Sequence, residues 1–70
     1  MKNRIETIRK ERGILQDEFA RSLGVSRQTI SQIERGDYSP SVTLALKIAR
    51  VCSARVEDIF IYQEDPDHEA

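Results

Sequence analysis

Arg27, Gln28, Ser31 and Gln32 carry side chains of the kind that read the edges of base pairs. Gln can pair bidentately with adenine N6/N7, and Arg with guanine O6/N7. The spacing sets them on one side of a helix. At roughly 100° per residue, with Arg27 at 0°, Ser31 falls near ~40°, Arg35 near ~80°, Gln28 near ~100° and Gln32 near ~140°. Ile33 and Ile30 fall near ~240° and ~300°, on the opposite side. A helix that merely faces water usually shows Glu and Lys there, and a neutral polar surface is the alternative reading. The chemistry this arc offers is hydrogen-bonded recognition, not bond making.

Catalysis has little support. The chain has one His (His68) and one Cys (Cys52), and no Cys–His or Ser–His pair can be assembled in its body. The carboxylates are scattered over helix surfaces, and no glycine-rich phosphate loop is present. The sequence thus reads as a non-enzyme with no cofactor, no metal and no evident small-molecule pocket. Cys52 cannot form an internal disulfide, and within an apolar run it reads as a small buried hydrophobe.

The elements that must hold the arc follow from the pattern around it. The first helix is expected over Met1–Arg12, with Asn3 and Glu6 spaced as a capping box and Ile5 and Ile8 on one face. Gly13 can end it in the left-handed conformation. The second helix, Gln16–Leu23, buries Phe19 and Leu23, with the small Ala20 beside them. Its N-cap, Leu15, offers no acceptor, a loss of about 1 kcal/mol relative to Ser or Thr. Gly24-Val25-Ser26 is the turn, and Ser26 is placed to accept the Thr29 amide at the start of the third helix, Arg27 to about Arg35. A helix, a glycine turn and a second helix with a polar outer arc have the layout of a helix-turn-helix, whose second helix enters the DNA major groove.

Glu34 falls at the margin of the buried side and needs a partner, and Arg9 is the candidate. An exposed, unpaired Glu34 is the alternative. Gly36 ends the third helix. The hydroxyls of Tyr38 and Ser39 could reach phosphate, or Tyr38 could pack over the core edge in a plain turn. Ser39-Pro40 fits N-cap and N1 of a fourth helix over Val42–Cys52, with Ser41 the alternative cap. That helix is apolar nearly all round and is expected at the centre of the domain. A short fifth helix follows over Val56–Phe60. The run Ile59-Phe60-Ile61-Tyr62 reads as a self-pairing surface, by helix packing or a short strand. The alternative is that it folds back on the first helix within one chain.

A chain of 70 residues forms one small domain whose marginal stability would gain from pairing. Residues 1–62 hold all 11 Lys and Arg but 8 of the 12 Asp and Glu, a net +3. Glu64, Asp65, Asp67 and Glu69 make residues 63–70 an acidic segment, expected to be disordered and dispensable for DNA binding. No apolar run approaches the ~20 residues that span a bilayer, and no leader pattern is visible at Met1. No membrane association and a cytoplasmic, nucleoid-associated location are the expectation.

Gln16-Asp17-Glu18-Phe19-Ala20, Leu23-Gly24-Val25-Ser26 and Thr29-Ile30-Ser31-Gln32-Ile33-Glu34-Arg35-Gly36 resemble the Cro/repressor-type (XRE) helix-turn-helix family, with Gly13 before and Pro40-Ser41 after in the same pattern. The resemblance covers about residues 3–60. It implies an all-α, five-helix lambda-repressor-like domain, with room for a short C-terminal strand at a dimer interface. It also implies a homodimeric regulator of transcription, a repressor, on a palindromic double-stranded DNA operator. Under it, Ser26, Arg27, Gln28, Ser31 and Gln32 face the bases, Gln16 touches phosphate and braces the third helix, and Arg9 with Glu34 forms a structural clamp. From their own chemistry, Thr29, Arg35, Tyr38 and Ser39 join Gln16 in phosphate contact and positioning, and Ile59, Phe60, Ile61 and Tyr62 are the expected dimer interface. Two departures stand out: the family commonly has Thr or Ser at Leu15, and Gly-Val-Ser where this chain has Ser53-Ala54-Arg55. An antitoxin-like or co-activator module working through a protein partner is the competing reading.

Overall fold

The computed structural model describes residues 1–62, and the acidic segment with His68 lies outside them. The order is β1 (Lys2–Asn3), α1 (Ile5–Glu11), α2 (Gln16–Leu23), α3 (Arg27–Glu34), α4 (Val42–Cys52), α5 (Val56–Ile59) and β2 (Phe60–Ile61). The architecture is the expected all-α, five-helix domain with a short C-terminal strand, β2, and one addition, β1. β1 and β2 pair antiparallel, Lys2 opposite Ile61 and Asn3 opposite Phe60.

The addition corrects the start of the first helix. Asn3 does not form a capping box with Glu6. Its Oδ1 accepts the Ile5 amide at 3.2 Å, while Glu6 takes the Lys10 ammonium at 2.8 Å. Asn3 therefore lies in a strand, one residue before the Arg4 cap position. The fourth helix is capped by Ser41, whose Oγ accepts the Leu44 amide at 3.1 Å, and not by Ser39. At the start of α2, Leu15 offers no side-chain acceptor, but its own amide donates to Glu18 Oε1 at 3.1 Å. Half of a capping box is therefore present.

The core is an isoleucine and phenylalanine cluster. Ile5, Phe19, Ile30, Ile33, Ile48 and Ile59 are fully buried, one or two from each helix. At about 1.5–3 kcal/mol per large apolar side chain, this cluster is the main force holding α3 in place. Val25 is half-buried against it, plugging the turn between α2 and α3. Cys52 is buried, and that burial pushes its thiol pKa above the ordinary value.

Two expectations fail on packing. α4 is not enclosed: Val42 is 77% exposed and Leu46 58%, so only its Ile48, Ala49 and Cys52 side is buried. The run Ile59–Tyr62 also splits. Ile59, at the end of α5, and Phe60, opposite Asn3 in the sheet of the same chain, are both buried in the chain's own core. They are not available to a partner. Ile61 and Tyr62 remain exposed.

Candidate nucleic-acid interface

The back of α3 is fixed by a polar network. Arg9 Nε donates to Glu34 Oε2 at 2.9 Å and Nη2 to Oε1 at 3.4 Å, while Nη1 donates to the Ile14 carbonyl at 2.9 Å. The two side chains are 9% and 3% exposed. A carboxylate this deep needs more than one donor. Gln16 Nε2 supplies another at 3.0 Å to Oε1. The Gln16 carboxamide then turns its oxygen outward, where Arg27 Nε donates to it at 3.3 Å. A continuous chain thus runs from α1 through Glu34 and Gln16 to the first residue of α3. Among the described residues, no buried side-chain nitrogen or oxygen lacks a hydrogen-bond partner.

The two ends of α3 are set differently. At the N-terminal end, Ser26 Oγ accepts the Thr29 amide at 3.1 Å and lies 2.9 Å from Thr29 Oγ1. Both hydroxyls are engaged in the cap, so Ser26 and Thr29 serve α3 first. At the C-terminal end, Asn3 Nδ2 donates to the Ile33 carbonyl at 2.7 Å. Sequence reading missed that contact. Its only signal was an Asn near the chain start, and an Asn there looks like a helix cap.

The front of α3 is open. Gln16, Arg27, Gln28, Ser31 and Arg35 line one shallow polar cleft of about 390 Å³ with no carboxylate among them. Arg27 and Gln28 are exposed and Ser31 half-buried. Gln32 is half-buried and does not line this cleft. Arg35 lies 3.2 Å from Asp37, and Arg27 lies 3.9 Å from Asp17. Both are exposed pairs of the kind that water and salt weaken readily. Tyr38 and Ser39 are exposed in the loop after Gly36. The arrangement can present donors and acceptors to a groove. It holds no nucleophile beside a base, and no group of three or more potential metal ligands occurs among the described residues.

A helix-turn-helix family model, HTH_3, matches residues 5–59. An uncharacterised HTH-type transcriptional regulator of Methanocaldococcus jannaschii, MJ0272, is 49% identical over 65 residues, 93% of this chain and 98% of that protein. The uncharacterised HTH-type transcriptional regulator YgzD of Bacillus subtilis is 43% identical over 65 residues, again 93% of this chain and 98% of the relative. Among solved structures, the restriction-modification controller protein C.AhdI of Aeromonas hydrophila superposes with a TM-score of 0.74 at 26% identity, over 81% of this chain and 86% of that one.

Proposed function

The chain belongs to the HTH_3 helix-turn-helix family and is a transcriptional regulator with a DNA-binding domain, and from that premise we propose that it acts as a homodimeric repressor on a palindromic operator. The open cleft on α3 carries the reading: Arg27, Gln28 and Ser31 line it with Gln16 and Arg35, and no carboxylate is among its lining residues. Arg27, Gln28, Ser31 and Gln32, with Ser26 at the start of the arc, read bases. Gln16, Thr29, Arg35, Tyr38 and Ser39 hold phosphates or orient the readers. Repression is the mode that needs only occupancy, since a bound protein excludes others from the same base pairs.

Two copies about a two-fold axis place their α3 helices about 34 Å apart, one turn of the duplex. We assign the pairing surface to the apolar cleft of Pro40, Val42, Ala45, Leu46 and Val56, together with Ile61 and Tyr62. Met1 also lines that cleft, and it directly precedes Lys2, the residue opposite Ile61 in the sheet. The same exposed patch supports the second reading, a module that pairs with a different protein.

Selection of bound duplexes from a random pool tests the reading. The wild type is expected to select a site with two-fold symmetry. Gln28→Ala is expected to relax one base position at a cost of about 1–3 kcal/mol. A variant that selects the same site with the same affinity would show that the reading face is assigned wrongly. Sedimentation of the pure protein separates the two pairing modes. A monomer that binds DNA only with a second chain present favours the module.

A further inference from the structure

We propose that strand β1 belongs to the DNA interface, with Lys2 contacting a backbone phosphate beside the C-terminal end of α3. The proposal rests on the DNA-binding reading above and adds to it a contact outside the helix-turn-helix.

A second polar cleft, of about 340 Å³, is lined by Met1, Lys2, Asn3, Glu34, Arg35 and Gly36. Arg35 lines both this cleft and the one on the front of α3, so the two are continuous around its side chain. β1 is held at this place. Asn3 Nδ2 bonds the Ile33 carbonyl at 2.7 Å, and Met1 lies so close to Gly36 that a Cβ there would sit 3.3 Å from the Met1 carbonyl oxygen. The strand is therefore a fixed extension of the reading surface.

The charges in the cleft single out Lys2. Glu34 lines it, but both its oxygens are already bonded to Arg9 and Gln16, and its side chain is 3% exposed. Arg35 is paired with Asp37. Lys2 is exposed and has no ion-pair partner among the described residues. Lys10 makes a useful contrast. It too lines a cleft beside Arg27, but it is bonded to Glu6, and Asp17 faces Arg27 across the same space. An approaching phosphate meets balanced charge at Lys10 and an uncompensated ammonium at Lys2. A lysine on a flexible stem suits phosphate as a point charge and carries no base information.

A phosphate contact is sequence-independent, so a short mixed-sequence duplex serves as the probe. Binding is measured across a salt series for the wild type, Lys2→Ala, Lys2→Arg and Lys47→Ala, with circular dichroism as the folding check. Lys2→Ala is expected to weaken binding about three- to tenfold at low salt and to lower the slope of log K against log salt by about 0.9. Its deficit then shrinks about threefold between 50 and 200 mM salt. Lys2→Arg restores the slope. Lys47, in the cleft on the outer face of α4, is expected to leave the slope unchanged when replaced. An unchanged slope in Lys2→Ala overturns the proposal, and so does an equal loss in Lys47→Ala, which would mean that only net charge matters. If the wild type binds no duplex at all, the DNA-binding reading falls and this contact with it. If it binds and Lys2→Ala binds identically, the contact alone falls.

Discussion

α3 and α4 are built to opposite standards. α3 is capped by Ser26, followed by Gly36 in a left-handed conformation, and braced from behind by the buried Arg9–Glu34–Gln16 network. α4 is well capped at its start by Ser41, but it ends on Ser53 in a left-handed conformation and leaves Val42 and Leu46 in water. Local rules are satisfied around α3 and broken around α4. Departures of that kind tend to mark where a second demand acts on the sequence. A helix that reads bases must be held still, because its contacts depend on fixed geometry. A helix whose outer face pairs with another chain must keep apolar surface exposed until it does.

The largest effect tests the brace. Glu34→Ala leaves the Arg9 guanidinium buried with only the Ile14 carbonyl as an acceptor. Breaking a buried pair in this way costs about 3–5 kcal/mol, a large share of the 5–15 kcal/mol typical of a whole domain. Urea unfolding is expected to shift to much lower denaturant, and DNA binding to weaken even where the protein is folded, because Gln16 and Arg27 lose their anchor. A small change in midpoint would mean that the brace contributes little and that the apolar core alone fixes α3.

A smaller effect tests the other side of the comparison. Leu46→Glu puts a charge on the exposed face of α4. The residue is 58% exposed, so the stability of the single chain is expected to move by less than about 0.5 kcal/mol. At the pairing surface proposed above the effect is larger, because the carboxylate would be buried there without a partner. A rise in the dimer dissociation constant of roughly 10- to 100-fold is expected in sedimentation equilibrium, equivalent to about 1.4–2.8 kcal/mol. An unchanged oligomeric state would remove α4 from the pairing surface and leave Ile61 and Tyr62 to account for it.

Legibility in the sequence follows the same divide. The unit from Gln16 to Gly36 was readable because its signals are local: Gly24, the Ser26 cap, and Ile30 and Ile33 at helical spacing. The polar arc could be placed on a wheel, although Gln32 turned out half-buried and outside the cleft. β1 could not be read. Its two residues are too few to show any alternation, and its partner residues Phe60 and Ile61 lie at the far end of the described chain. Asn3 and Glu6 have the spacing of a capping box, but only the fold shows that Asn3 bonds Ile33 instead. The apolar count of α4 was equally uninformative, since composition says that a side chain is apolar but not what covers it.

The smallest effect compares the two helix ends directly. The left-handed conformation costs an ordinary L-residue roughly 1–2 kcal/mol, and glycine almost nothing. Ser53 adopts φ +51° and is exposed, with no side-chain hydrogen bond among the described residues. Ser53→Gly removes that strain, although the freer unfolded chain returns about 0.4–1 kcal/mol of it. The net expectation is a gain of about 0.5–1 kcal/mol. For a domain of this size that is a rise in Tm of about 3–6 °C, read at fixed protein concentration so that pairing does not confuse the result. DNA affinity should not change. The reciprocal variant, Gly36→Ser, should lose more than Ser53→Gly gains. It meets the same backbone strain at φ +81° and also brings a Cβ to 3.3 Å from the Met1 carbonyl oxygen. If Gly36→Ser were tolerated as well as Ser53 is, the end of α3 would be no more exacting than the end of α4. The difference between the two helices would then rest on the Arg9–Glu34 brace alone.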